Sequence, residues 1–140
     1  MADLVDLLPM MRAYCDFYRV NPPDDSLQAL AVALIENPAE GLQLIARDEH
    51  GTASGFATIY WTWQTLHAAR VGVLNDLYVV PASRGAGAGR ALIGRCREVC
   101  RSQGAAKLVW ETAPDNTTAQ RLYDGLGAEK STWLSYELDA

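Results

Sequence analysis

Cysteine, histidine and basic residues are all scarce in this chain: three Cys, two His and twelve Lys plus Arg among 140 residues. Each scarcity excludes something. An odd number of cysteines (Cys15, Cys96, Cys100) with no regular spacing excludes a disulfide framework. Cys96 and Cys100 stand four apart on a predicted helix and read as small buried hydrophobes. His50 and His67 are distant from them and from each other, so no metal set is legible. Seventeen acidic residues outnumber the basic ones for a net charge of −5, the wrong sign for general nucleic-acid binding. No apolar run approaches the ~18 residues of a membrane span. The acidic N-terminus does not read as a secretory signal, and a cytoplasmic protein is expected.

What is present is a chain of one-domain size, 49% hydrophobic, expected to fold as a single domain over 1–140. The segment LVDLLPMMRAYCDFYRV spaces Leu7, Met11, Tyr14 and Tyr18 as one helical face. SLQALAVALIENP predicts a second helix with Leu27, Leu30, Ala31 and Leu34 inward, capped by Asp25 or Ser26. The period then changes. LQLIARD and GFATIYWTW predict a hairpin, and RVGVLNDLYVV a third strand that Pro81 stops. RALIGRCREVCRSQG is a helix closed by Gly104, AKLVWET a strand, and NTTAQRLYDGLG a helix capped by Asn116 or Asp115. AEKSTWLSYEL reads as a closing strand, with Trp133 and Tyr136 along it as a dimer surface. Early strands joined by short connections pair antiparallel, and the later strand–helix–strand unit demands a parallel crossover. The expected fold class is therefore α/β, a mixed, mostly antiparallel sheet with a central parallel pair and helices on both faces.

One stretch has no place in a core: PASRGAGAGRAL, residues 81–92, with Gly85, Gly87 and Gly89 at alternate positions and Arg84 and Arg90 around them. A glycine-rich turn entering a helix exposes backbone N–H groups at the positive end of the helix dipole, a site for a pyrophosphate. The P-loop pattern fails because Arg90 and Ala91 follow Gly89, where Lys and Ser or Thr are required. The dinucleotide fingerprint, started at Gly85, ends on Arg90 instead of glycine.

LNDLYVVPASRGAGAGRALI resembles the acyl-CoA signature of the GCN5-related N-acetyltransferases (GNAT), Arg/Gln-x-x-Gly-x-Gly/Ala, through Arg84, Gly87 and Gly89. GFATIYWTW, LVWET, DNTTAQRLYDGLGA and WLSYEL follow in the family's order, and the spacing is most similar to its diamine acetyltransferase and Hpa2-like branches. The resemblance implies the GNAT acyl-CoA N-acyltransferase fold and transfer of an acetyl group from acetyl-CoA, as co-substrate, to a primary amine. A small-molecule amine is the leading acceptor and a protein lysine or N-terminus the second. A non-catalytic acyl-CoA-binding module on the same fold and a dinucleotide-binding enzyme stay open. It further implies that the backbone of Leu77, Tyr78 and Val79 binds the pantetheine arm, and that Arg84, Gly85, Ala86, Gly87, Ala88, Gly89 and Arg90 cradle the pyrophosphate. Asn116 contacts the cofactor, and Tyr123 lies near the thioester sulfur as general acid.

The base is open. The diamine branch has Glu where this chain has Asn75, which holds a water but cannot take a proton. Asp76 is adjacent and needs a β-bulge to re-aim it, and Glu111 is a further candidate. Tyr14, Tyr18, Tyr60, Trp61 and Trp63, with Asp16, Asp24 and Asp25, are expected to form a cation-accepting acceptor wall. The family's first strand has no counterpart ahead of the first helix, which leaves a sheet edge bare or paired in a homodimer.

Overall fold

The structure is a computed structural model describing residues 1–140. Its elements run α1 (Leu4–Phe17), α2 (Asp24–Glu36), β1 (Gly41–Arg47), β2 (Ala53–Gln64), β3 (Ala69–Val79), α3 (Ala88–Ser102), β4 (Lys107–Val109) and α4 (Thr117–Gly125). The predicted order is observed up to α4. The sheet has the order β1-β2-β3-β4, antiparallel through β3 and parallel between β3 and β4.

Helices cover both faces of this mixed α/β sheet. On one face α1 and α2 bury Leu7, Met10, Met11, Leu27 and Ala31 against Phe56 and Tyr78. On the other, Leu92, Ile93 and Cys96 of α3 pack on Ala57, Ile59 and Leu74. Cys96 and Cys100 are buried hydrophobes, as their helical spacing suggested, and burial pushes the Cys96 thiol up to about 12. No group of His, Cys, Asp and Glu is arranged to hold a metal, and no helix is long and apolar enough to cross a membrane.

Three expectations need correction. Residues 128–138 form no strand, and Trp133, Leu134, Tyr136 and Leu138 along them are 79–98% exposed. With that strand unpaired, the parallel pair ends the sheet instead of lying inside it. The strand expected over 106–112 shrinks to Lys107–Val109, because β3 and β4 part beyond Val73 and Val109 and an extended segment with no neighbour makes no ladder. Finally, the N-cap of α2 is Pro23 instead of Asp25 or Ser26. Asp24 and Asp25 instead occupy the first turn, where the helix dipole favours negative charge.

Candidate active site

The parting of β3 from β4 makes the site. β3 continues to Val79, so from Leu74 onward its edge towards β4 has no strand partner. A cleft of about 330 Å³ opens there. Leu74, Asn75, Leu77, Tyr78 and Val79 line one side, and Trp110 to Thr112 with Asn116, Ala119 and Tyr123 line the other. Tyr14 and Phe17 of α1, with Tyr18 at its C-cap, also line the cleft. A bare strand edge offers alternating N–H and C=O groups, which an extended amide-bearing chain satisfies as an added strand.

At the mouth of the cleft lies the glycine turn. Gly85 and Gly87 have φ of +81° and +90°, values an L side chain adopts only under strain. Gly87 is the N-cap of α3, which therefore starts at Ala88, two residues earlier than expected. None of the backbone N–H groups from Gly85 to Arg90 donates to another group of the chain. Six successive donors converge at a helix start, the arrangement a pyrophosphate needs. Gly89 serves a different purpose: a Cβ there would stand 3.2 Å from the Leu122 side chain, so it lets α3 approach α4.

The two arginines do not both face that turn. Arg84 folds back, donating Nε–H to the Val79 carbonyl at 3.0 Å and stacking its guanidinium 5.9 Å from the Tyr78 ring centroid. Arg90 is exposed, with its guanidinium beside Gly125 at the end of α4, where a cation suits the helix dipole.

β3 carries the bulge that would re-aim Asp76. Thr58 pairs with Asp76 and Ile59 with Leu74, so Asn75 is the unpaired extra residue. The alternation slips by one there, and Leu74 and Leu77, three apart, share the α3 face. Asn75 is exposed and lines the cleft, while Asp76 turns to the α1 face. Strand register then sets Gln43, Thr58 and Asp76 in one row across β1, β2 and β3. Gln43 donates to the fully buried Thr58 hydroxyl at 3.2 Å. The Asp76 carboxylate accepts from the Asn75 amide at 3.0 Å, with the Thr58 and Tyr14 hydroxyls beside it, and the Tyr14 O–H donates to the Asn75 backbone carbonyl at 3.5 Å. Burial outweighs these bonds and holds the Asp76 carboxyl above the usual carboxylate range. Burial, then the Asp76 charge, raises Tyr14 well above an ordinary phenol. Asp76 does not line the cleft and Tyr14 does, so Tyr14 is the bridge between them. The sequence signal that marks Asp76 is the acidic residue in an apolar strand; nothing in it pointed to Gln43 or Thr58.

Tyr123 lines the opposite wall, its ring edge-on to Trp110 at 5.2 Å. Burial, then neighbouring Tyr18, raises its pKa, so it stays a protonated donor at neutral pH. Asn116 is the N-cap of α4, with Oδ1 accepting from the Ala119 N–H at 3.2 Å, and its Nδ2 donors are left for the cleft it lines. Glu111 is exposed on the same wall.

The expected acceptor wall is only partly assembled. Tyr14 and Tyr18 line the cleft, joined by Phe17 from the same stretch of the chain. Trp61 instead packs on the α3 face, donating Nε1–H to the Pro38 carbonyl at 3.2 Å, and Trp63 is 74% exposed. The odd–even alternation of β2 sends both tryptophans away from α1. Asp24 is bound to Arg12 at 2.9 Å, while Asp16 and Asp25 are exposed and outside the lining. A second cavity, of about 400 Å³, lies between α1, α2 and β1, away from the glycine turn and lined mainly by apolar residues.

Known proteins match this geometry. An uncharacterized N-acetyltransferase, YhfO, from Bacillus subtilis is 34% identical over 131 residues, covering 94% of this chain and 87% of its own. Thialysine N-epsilon-acetyltransferase from Mus musculus is 27% identical, covering 99% and 88%. A solved structure of a probable acetyltransferase superposes with a TM-score of 0.87 at 25% identity, covering 100% and 93%. Residues 7–128 match the family described as acetyltransferase (GNAT). The splayed parallel pair, the glycine turn and that match over most of the chain lead to one conclusion: this chain belongs to the GNAT acetyltransferase family and is an acetyl-transferring enzyme.

Proposed function

We propose that this protein transfers the acetyl group of acetyl-CoA to the primary amine of a small molecule by direct attack of the bound amine. The observation that carries the reading is the continuity of two backbone features: the bare edge of β3 from Leu74 to Val79 and the six unpartnered N–H groups from Gly85 to Arg90. The first fits the amides of a pantetheine arm at Leu77, Tyr78 and Val79, and the second fits a pyrophosphate. Asn116 adds its free amide donors along the arm. Bound acetyl-CoA supplies an activated acyl thioester.

The residues then divide the proton work. An alkyl ammonium with a pKa of about 10.4 must lose a proton before it attacks. Tyr14 passes its own hydroxyl proton to the Asp76 carboxylate as it takes one from the ammonium, so Asp76 is the base and Tyr14 its relay. Asn75 holds the amine or a water beside them. The new bond is amine nitrogen to carbonyl carbon, and the bond that breaks is carbonyl carbon to sulfur. Tyr123 donates its proton to the departing thiolate and regains one through solvent from the acylated nitrogen, which sheds its second proton to become a neutral amide; Tyr14 has already regained its proton in the relay, and Asp76 returns its own to solvent. The aromatic end of the cleft, Tyr14, Phe17 and Tyr18, suits a cationic amine. A small-molecule acceptor is also in keeping with the thialysine acetyltransferase from Mus musculus.

Calorimetric titration with acetyl-CoA, with NAD and ATP as controls, tests the cofactor. Binding of acetyl-CoA alone, followed by amine-dependent thiol release, is the expected result. Preference for NAD, or no binding of acetyl-CoA, overturns the reading, and binding without thiol release across an amine panel reduces it to a non-catalytic module. Tyr123→Phe is expected to lower kcat by about 10²-fold, as loss of a general acid does, with the acetyl-CoA Kd within about twofold of the parent. Unchanged turnover would remove Tyr123 as the acid.

A further inference from the structure

The row of Gln43, Thr58 and Asp76 that crosses β1, β2 and β3 holds one atom that stability does not explain. Gln43 donates from Nε2 to the Thr58 hydroxyl at 3.2 Å and to Met11 Sδ at 3.6 Å. A thioether sulfur has no hydrogen to give, so this pair of partners fixes which end of the amide is nitrogen. The other end, Oε1, is buried and accepts from nothing. A buried acceptor without a donor is destabilising. An apolar side chain of the same length would avoid that penalty.

What the amide does is orient Thr58. The hydroxyl oxygen has one hydrogen and two lone pairs. Gln43 occupies a lone pair, so the hydrogen of Thr58 is left to donate elsewhere. Thr58 is 0% exposed, so no solvent takes it. Its cross-strand partner is Asp76, whose carboxylate is the acceptor beside it. Were the amide reversed, Oε1 would draw that hydrogen and turn a Thr58 lone pair towards the carboxylate. Asn75 donates to the same carboxylate at 3.0 Å. These donors favour the ionised form against the burial that opposes it.

No other group does this work. The titratable side chains on this face are tyrosines: Tyr14 of α1, Tyr60 of β2 and Tyr78 of β3. No salt bridge reaches Asp76. Charged groups on the covering elements turn elsewhere: Arg12 binds Asp24, Arg47 binds Asp3 and Asp6, and Asp16, Asp25 and Glu36 are exposed.

We propose that Gln43 and Thr58 are positioning residues of the reaction: Gln43 orients the Thr58 hydroxyl, and Thr58 holds the Asp76 carboxylate ready to take the proton of Tyr14. The inference rests on the reading of Asp76 as the base. Thr58 keeps its own hydrogen throughout, and only the Tyr14 proton crosses to Asp76. The unpartnered Oε1 follows from this task, because an amide that presents nitrogen to Thr58 points its oxygen where no donor stands.

Two readouts on the whole chain test this: the pH profile of kcat, and NMR titration of the Asp76 carboxyl carbon, assigned by its absence in Asp76→Asn. Thr58→Val has nearly the same shape and lacks the hydroxyl. Its acid limb and its Asp76 titration are expected to move up together by about one pH unit, the effect of one hydrogen bond to a charged group. Thr58→Ser, which keeps the hydroxyl, should restore both. Gln43→Met removes the amide together with its unpartnered oxygen. It should move both readouts the same way by less, with a Tm equal to or above the parent's. A row that only holds the sheet together gives the opposite pattern, a lower Tm with limb and titration unmoved, and that result overturns the proposal. If Thr58→Val does not fold, Gln43→Met decides by the same criterion. Unmoved readouts beside an inactive Asp76→Asn overturn the positioning role and leave Asp76 as base. Parent-like turnover by Asp76→Asn overturns the base reading, and the row then positions nothing.

Discussion

Asp76→Asn is expected to lower kcat by 10²-fold or more while leaving acetyl-CoA binding in place. A positioned general base contributes about 10²–10⁴-fold, and an amide of nearly the same shape cannot take the proton. Tyr14→Phe breaks the same path at its other end and should fall by a similar factor. The double variant should fall no further than either single one, because residues acting as a unit are not additive. The pH profile carries the sharper test. Asp76 works as the carboxylate, and burial raises its pKa. Activity of the parent is therefore lost as pH falls through a value above the ordinary carboxylate range, and the variant's residual activity lacks that acid limb. Stability should move the other way. The native state holds the Asp76 proton more tightly than the unfolded chain, so stability declines as pH rises from ~3.9 to the raised native value. Once the native carboxylate is ionised that destabilisation is complete, and Asp76→Asn removes it. A variant with a Tm equal to or above the parent's and little turnover is the expected result. Turnover within threefold of the parent would remove Asp76 from the mechanism.

Gly87→Asp is expected to abolish acetyl-CoA binding in a folded protein. The residue sits at φ +90°, where a side chain costs roughly 1–2 kcal/mol. No atom lies within 4 Å of the added Cβ, so there is no clash and the loss of Tm should be only a few degrees. The carboxylate would stand among the N–H groups proposed to hold the pyrophosphate. Two like charges ~4 Å apart near a protein surface repel by about 4 kcal/mol, or roughly 10³ in Kd. Gly87→Ala has the strain without the charge and should weaken binding far less. Calorimetry on the two variants separates the contributions, and normal binding by Gly87→Asp would show that the turn is not the cradle.

Much of this was legible in the chain itself. Helical spacing marked Leu7 and Met11 of α1 and Leu27, Ala31 and Leu34 of α2, all of which are buried, while Leu30, expected on the same face, is exposed. Local rules suffice there, because a period of 3.6 or 2 is written into consecutive residues. The glycine turn was legible for the same reason: positive φ at Gly85 and Gly87 is a local demand that only glycine meets cheaply. A cap for α4 at Asn116 or Asp115 followed from their position ahead of the helical run, and the structure has Asn116.

What failed was long-range. Trp61 and Trp63 looked like a cation-binding wall by composition, but β2 presents them to the side away from α1. Asp24 looked like free negative charge, but the fold brings Arg12 to it. The closing strand has the right alternation in WLSYEL, yet a strand exists only where another strand offers its edge, and that partner is not encoded in the six residues themselves.

The sequence by itself determined the period of each element, the backbone freedom of the glycine turn and the resemblance that names the family, because these reside in neighbouring residues. Only the tertiary structure decided where the bulge at Asn75 would send Asp76, that Tyr14 would connect it to the cleft, and that β3 and β4 would part to open that cleft. Those depend on register between segments far apart in the chain, and a shift of one residue in register turns every side chain to the opposite face of the sheet.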